Sequence, residues 1–362
     1  MSGPLKGVRV LELAGIGPGP FACMLLADYG ADVVRIVRPS KAHVNLDVMA
    51  RGRTVVEVDL KSSTGVDFVR SMAASADVLI EGFRPGVMER LGVGPDVLLA
   101  LNPKLVYGRM TGYGQVGPMS NVAGHDINYI AVAGVLDGMR RVGERPVFPM
   151  NLVGDMGGGG MLMALGVVAS LLSAKATGRG QIVDAAMTDG AALLSTMFHE
   201  LHALGSWREP AGTNYIDSGA HFYDVYETSD GRFMAVGAIE PQFYEVLLQR
   251  LGFDAADFPQ HDRERWPEFK KLFSSTFRGR TQAQWIETFT GAEACTTPVL
   301  GMFDAWEHPQ HTARESFIDI GGVKVPAPAP RFSETPAGVT ASRSCTQDEA
   351  LLGWSSNERK DP

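Results

Sequence analysis

The sequence predicts an α/β fold: a doubly wound, Rossmann-like parallel sheet in a large domain, with a smaller α+β domain attached. Three observations carry this. β-Branched runs alternate with helical patterns from Val8 to Met110, a Gly/Pro turn separates the first run from the first helix, and longer helices follow Tyr113. The 362 residues exceed the roughly 250–300 at which single cores stop growing, so two domains are expected.

Val8 to Leu13 is the first strand. The turn Gly15-Ile16-Gly17-Pro18-Gly19-Pro20 leads to a helix over Phe21 to Tyr29, and Ala31 to Val37 completes a βαβ unit. The alternation continues with strand Thr54 to Leu60, helix Ser62 to Ala74, strand Asp77 to Glu81, a short helix Val87 to Leu91 and strand Leu105 to Met110. Helices are expected over Ile127 to Asp137, Gly158 to Lys175 and Thr188 to Leu204, with strand Gln181 to Ala185 between the last two. Ser206 to Ala220 is rich in Gly, Pro, Asn, Asp and Ser and reads as a linker. A hairpin follows, Phe222 to Thr228 and Arg232 to Ile239, closed by Ser229-Asp230-Gly231. Helices come next at Gln242 to Leu251, Pro267 to Phe277 and Gln282 to Thr290, the last with Thr281 and Gln284 as a capping box. The proline-rich stretch Val325 to Pro336 should be extended, and a last helix, Asp348 to Trp354, returns to the first domain. The expected domains are a large one over 1–205, completed by 331–362, and a small one over 222–310, with linkers at 206–221 and 311–336.

Composition narrows the function. Hydrophobic content of 45% and charge of 20% are those of a soluble globular protein. A net charge of -8 argues against nucleic acid or an anionic membrane as partner, so any basic site is local. Cys23, Cys295 and Cys345 are far apart and lack CxxC spacing, which indicates neither a disulfide framework nor a zinc site and fits a reducing cytoplasm. No signal-peptide core is expected at the N-terminus. Met161 to Ala174 falls short of the ~20 residues of a membrane span and reads as a buried helix. The pairs His199/His202 and His308/His311 lack supporting Cys or acidic ligands, so no metal site is expected.

The Gly15-to-Gly19 turn resembles a dinucleotide fingerprint, with two departures. The third glycine is replaced by Pro20, and the second strand ends in Arg38 rather than an acidic residue. Both count against NAD; Arg38 facing a 2′-phosphate keeps an NADP-dependent dehydrogenase as a rival. The glycines and prolines alternatively make only a tight strand-to-helix turn.

The chemistry is concentrated in two segments, Ala123-Gly124-His125-Asp126-Ile127-Asn128-Tyr129 and Leu152-Val153-Gly154-Asp155-Met156 with Gly157 to Gly160 after it. Each sets one proton-transferring side chain after a glycine at the entrance to an apolar segment, and such a pair can serve as two acid/base groups on opposite faces of one carbon. Alone, His125 reads as a structural histidine and Asp155 as a helix N-cap. The four glycines are poor helix formers, which suggests close approach of backbone N–H groups to a developing oxyanion at a helix start. A histidine, a carboxylate and an oxyanion site together fit proton abstraction next to a carbonyl.

On these segments, with Leu13-Ala-Gly-Ile-Gly-Pro-Gly-Pro, Glu81-Gly-Phe-Arg-Pro-Gly, Arg109-Met-Thr-Gly-Tyr-Gly-Gln, Val183-Asp-Ala-Ala-Met and Gly237-Ala-Ile-Glu-Pro-Gln-Phe-Tyr, the chain resembles the α-methylacyl-CoA racemases of the family III CoA-transferase superfamily over nearly its whole length. The resemblance implies a racemase that interconverts (2R)- and (2S)-2-methylacyl-CoA through an enolate, with His125 and Asp155 as the two bases and Glu240 paired with His125. It also implies CoA contacts at Arg38, Val58, Asp59, Leu60, Lys61, Gly82, Phe83, Arg84 and Arg90. Backbone contacts are implied around Gly124, Asp126, Ile127, Asn128 and Tyr129, and around Gly154, Met156, Gly157, Gly158 and Gly159. No metal or redox cofactor is implied, CoA being part of the substrate. Family members are interlocked homodimers, and the two linkers would permit that crossing. Met150, Met156, Met187 and Met197 suit an adaptable wall for the acyl chain or are simply core. Branched fatty acyl groups and sterol side chains share the same 2-methyl thioester. Alternatives are CoA transfer with Asp155 as nucleophile, the NADP-dependent dehydrogenase, and a non-catalytic acyl-CoA-binding protein.

Overall fold

The computed structural model describes residues 3–39 and 48–356. The chain divides into two compact units, one built from residues up to Ala133, Pro149–Leu194 and the chain from Pro309 onward, the other from Gly134–Phe148 and Ser195–His308.

The first unit contains β1 (Arg9–Leu13), α1 (Pro18–Asp28), β2 (Asp32–Val37), β3 (Arg53–Glu57), α2 (Ser63–Ala73), β4 (Val78–Glu81), α3 (Val87–Arg90), α4 (Pro95–Leu101), β5 (Val106–Thr111) and α5 (Asp126–Val132). A π-helical segment, Leu152–Met161, runs into α6 (Leu162–Thr177), followed by β6 (Ile182–Ala186) and α7 (Met187–Leu194). The second unit contains α8 (Thr196–Ala203), β7 (Tyr223–Glu227), β8 (Phe233–Gly237), α9 (Pro241–Leu251), α10 (Trp266–Phe277), α11 (Gln282–Phe289) and β9 (Thr296–Pro298). The chain then returns to the first unit with α12 (Pro309–Ala313), β10 (Phe317–Ile320), β11 (Val323–Pro326), β12 (Arg343–Ser344) and α13 (Gln347–Ser356).

Seven strands form one sheet in the order β12-β3-β2-β1-β4-β5-β6. Every pairing in it is parallel, with Leu11 opposite Val34 on one side and Leu79 on the other. Side chains alternate between the two faces of a strand. Leu11, Leu13, Val34, Val56 and Leu79 pack with Phe68, Met72, Leu98 and Trp354 of α2, α4 and α13. Val10, Val33, Val78, Ile80 and Val106 pack with Leu26 of α1 and Met163 and Val167 of α6. Burial on both faces explains why these strands read as continuous apolar runs. The doubly wound sheet is therefore as expected.

The second unit has an antiparallel sheet, β7-β8-β9, backed by an aromatic core of Phe222, Phe269, Phe273, Phe277 and Trp285. The Thr281–Gln284 capping box on α11 is present.

Several boundaries differ from the sequence reading, each for a tertiary or local reason. The helix expected to start at Gly158 starts at Leu152 and continues to Thr177. By length and composition it could cross a bilayer; Met163, Ala164, Val167, Ser170 and Ala174 are buried along it while Met161, Leu165 and Leu172 are exposed, so it is not the buried helix expected from the sequence. α5 stops at Val132, just before Gly134 at φ 80. The helix expected over Thr188 to Leu204 is broken at Ser195, where the two units divide. Residues 206–221 belong to the second unit. There Asp217 accepts the N–H groups of Gly212 and Asn214, and Asn214 bridges to Arg208. The stretch read as a return linker includes α12 and the β10–β11 hairpin, and α4 was not anticipated.

Candidate active site

Because all seven strands run the same way, the loops after β1, β2, β3, β4 and β5 lie at one edge of the sheet, and β1 and β4 flank the point where strand order reverses. Ligands of doubly wound sheets collect at such an edge. Arg38, exposed, directly follows β2; Val58 to Lys61 follow β3; Gly82 to Arg84 follow β4; and the loop after β5 leads to His125.

The turn after β3 is built by Asp59, whose carboxylate accepts the Lys61 N–H at 3.0 Å while its carbonyl accepts the Ser62 hydroxyl at 2.8 Å. Val58 is buried beneath it. Leu60, Lys61, Arg70, Arg90 and Leu91 line a cleft of about 250 Å³ that brings two of the sequence-predicted cations together. Arg70, which the sequence reading passed over, is a third; its guanidinium donates to the Gly92 carbonyl at 2.9 and 3.2 Å. Its signal was position alone, one turn from the end of α2. The cleft contains neither of the two candidate bases.

After β4 the chain turns on Glu81, which accepts the Phe83 N–H at 2.7 Å. Arg109 of β5 pairs with Glu81 at 3.0 Å and with Glu89 of α3 at 2.9 Å. Burial pushes the Glu81 carboxyl up to about 6 despite these partners. The Arg84 side chain is exposed at this corner.

His125 is the N-cap of α5 and is exposed; its backbone N–H donates to Asn128 Oδ1 at 3.1 Å. The Tyr129 hydroxyl donates to the Gly124 carbonyl. A Cβ at Gly124 would stand 2.8 Å from the Tyr129 ring and 2.9 Å from the Tyr113 hydroxyl, so only glycine leaves room for these two tyrosines, which meet edge to face. Burial pushes the Tyr129 phenol up to about 12, with Asp155 the next contributor, which keeps it a neutral donor. Ile127 projects outward from the same helix.

Asp155 lies in the first turn of the Leu152–Thr177 helix, after Asn151 as N-cap. It is therefore not the cap itself. Asn151 Nδ2 donates to its Oδ2 at 3.1 Å, and its own N–H donates to Asp126 Oδ2 at 2.7 Å. Burial holds its carboxyl above the usual range; the Asp126 charge adds to this, while the Asn151 hydrogen bond and the His125 charge oppose it. The two candidate bases are thus within electrostatic reach of each other.

The glycines after Asp155 are explained by packing. A Cβ at Gly158 would meet Ala191 N at 2.8 Å, one at Gly159 would meet Met187 and Pro18 at 2.9 Å, and one at Gly160 would meet Phe21 at 2.7 Å. All three are buried against α1 and α7, where the sequence reading had them approach a ligand oxygen. Gly157 and Met156 are half-buried. The Asp155 N–H is likewise taken by Asp126 and is not an open oxyanion donor.

Met187 is core, Met150 is exposed at φ 53, and Met197 belongs to the second unit. Glu240 also lies in the second unit, exposed, as the N-cap of α9 with Pro241 at the first helical position.

The all-parallel sheet defines a doubly wound α/β class; residues 5–344 match the model of CoA-transferase family III, and the chain belongs to that family. It is 49% identical to the α-methylacyl-CoA racemase of Mus musculus, over 94% of this chain and 89% of that protein, and 45% identical to the α-methylacyl-CoA racemase of Homo sapiens, over 92% and 87%. The crystal structure of a CAIB/BAIF family protein from Brucella suis shares the fold, with a TM-score of 0.82 and 23% identity over 99% of this chain and all of that one.

Proposed function

We propose that this protein is a racemase that interconverts (2R)- and (2S)-2-methylacyl-CoA thioesters by proton transfer between two bases, His125 and Asp155. The observation that carries this reading is the tie between their segments: Asp126, next to His125, holds the backbone of Asp155 at 2.7 Å. Two groups able to exchange roles as acid and base, fixed to each other, suit removal of a proton from one face of a carbon and return to the other. The 49% and 45% identity to α-methylacyl-CoA racemases supports the same reaction.

One base removes the α-proton of the thioester, and the electron pair passes to the carbonyl oxygen as an enolate. The helix N-terminal end at Leu152 provides a positive field for that oxygen. The second base then protonates the opposite face. No oxidation state changes, so neither a redox cofactor nor a metal is required by the chemistry. The CoA phosphates are assigned to Arg38, Arg84, Lys61 and Arg90; Arg38 and Arg84 follow β2 and β4, and Lys61 and Arg90 line one cleft, which supports the assignment. Glu240 is assigned to orient His125 from the partner chain of a homodimer, a cytoplasmic enzyme of branched fatty acyl or sterol side-chain degradation.

Incubation of a 2-methylacyl-CoA in D₂O without an acceptor acid tests this: deuterium at C2 with loss of stereochemistry is expected, and absence of exchange overturns it. The family also supports a second reading, CoA transfer with Asp155 attacking the thioester carbonyl to form an anhydride and release CoA thiolate. Capture of that acyl-enzyme by hydroxylamine, with no exchange at C2, would favour it.

A further inference from the structure

We infer that Asp126 is a positioning residue for the proposed base pair, its buried carboxylate locking the His125 helix onto the backbone of Asp155. The inference rests on the two-base reading above. Asp126 is 5% exposed, and its Oδ2 accepts the Asp155 N–H at 2.7 Å. A Cβ at Gly154 would stand 2.6 Å from the same oxygen, so the glycine before Asp155 exists to admit this carboxylate. The two segments that carry the bases are thus complementary: the acid of the first fills the space left by the glycine of the second. The other oxygen, Oδ1, is buried and has no hydrogen-bond partner among the described residues. An unneutralised charge in such a place is costly for stability, since a buried carboxylate without full hydrogen bonding pays a large desolvation penalty.

What the charge does is act on Asp155. The groups facing that carboxylate are His125, Asp126 and Tyr129 with the amide of Asn151. α1 and α7 pack on this segment through Pro18, Phe21, Met187, Gly190 and Ala191, none of them charged. Asp126 is the like charge in the group, and it opposes ionisation of Asp155. The result is a base closer to the neutral pH at which proton transfer to and from carbon is most efficient.

The test is Asp126→Asn in the full-length protein. The substitution keeps the shape and an acceptor for the Asp155 N–H and removes the charge. Deuterium exchange at C2 should persist, and the acid limb of its kcat/KM profile should move down by about half a pH unit or more. A limb unmoved from that of the unaltered protein overturns the inference, even where activity or Tm falls, because a merely structural carboxylate would produce those losses alone. Where turnover is too slow for a profile, Asp155 is titrated directly by ¹³C NMR of labelled aspartate in both proteins, against the same criterion. Failure of the unaltered protein to exchange would overturn the racemase reading, while the NMR comparison would still decide the role of Asp126.

Discussion

A Cβ on Gly17 would lie 3.1 Å from Oδ2 of Asp155. The turn after the first strand, which resembles a dinucleotide fingerprint, is thus the wall against which the proposed carboxylate base rests. Gly17 also sits at φ 69, a conformation that disfavours side chains. Gly17→Ala should therefore lose stability by about 1–3 kcal/mol and displace Asp155. The expected outcome is a lowered Tm with a fall in kcat of tenfold or more, since displacement of a reacting group by a fraction of an ångström is heavily penalised.

The proposed two-base reaction needs one proton on the His125–Asp155 pair in either direction, so kcat/KM should be bell-shaped for both enantiomers with the same limbs. Burial and the Asp126 charge raise the Asp155 carboxyl. The acid limb should accordingly lie above the ordinary carboxylate range, near ~3.9 for aspartate, in a pH profile of deuterium exchange.

Removal of either base should separate exchange from inversion. His125→Ala should lower racemisation by about 10²–10⁴-fold, the usual worth of a positioned acid/base group. Asp155 can still remove and return a proton on its own face, so residual exchange should proceed with retention of configuration. Chiral analysis of the deuterated product checks this; unchanged racemisation would contradict the assignment of His125.

Glycine packing behind the base can be tested as stability alone. Gly158→Ala puts a methyl 2.8 Å from Ala191 N and 2.9 Å from the Gly190 carbonyl carbon, backbone atoms that move only with α7. A loss of about 1–3 kcal/mol in denaturant unfolding is expected.

The second unit carries an acid-sensitive core. His221 is fully buried in a ring of Phe222, Tyr244, Phe269 and Phe273, with Nε2 2.6 Å from the Tyr244 hydroxyl. Burial first, and the Lys270 charge second, lower its pKa to about 3 from 6.5. The unfolded chain therefore binds the proton more tightly than the folded one. The contribution to stability is complete above pH 6.5 and is lost as pH falls toward 3. His221→Phe should flatten the pH dependence of unfolding in that window, while the Tyr244 hydroxyl keeps its bond to the Phe258 carbonyl.

Much of this was legible in the sequence because it is local. The parallel sheet announced itself through strands with apolar residues on both faces, such as Val78 to Ile80, and Val10 and Leu11. The capping box at Thr281 and Gln284 needs only three residues of separation, and it was found intact. His125 and Asp155 were visible as proton-transferring side chains after glycines, and family membership confirms the chain's place among CoA-transferases of family III.

The rest depends on partners distant in sequence. Gly157 to Gly160 read as a ligand-binding turn because helix propensity is a local quantity; Phe21, Met187 and Ala191, which make glycine necessary at 158–160, are encoded elsewhere. Arg70 and Arg90 share a cleft through folding alone. By itself, then, the sequence determined the alternating strands and helices of the parallel sheet, its two apolar faces and the candidate acid/base groups, all set by periodicity and residue chemistry within short windows. Only the tertiary structure decided that Asp126 grips Asp155 from 29 positions away and that Gly17 backs the same carboxylate. Such contacts close long loops, and no local propensity records which distant atoms will meet.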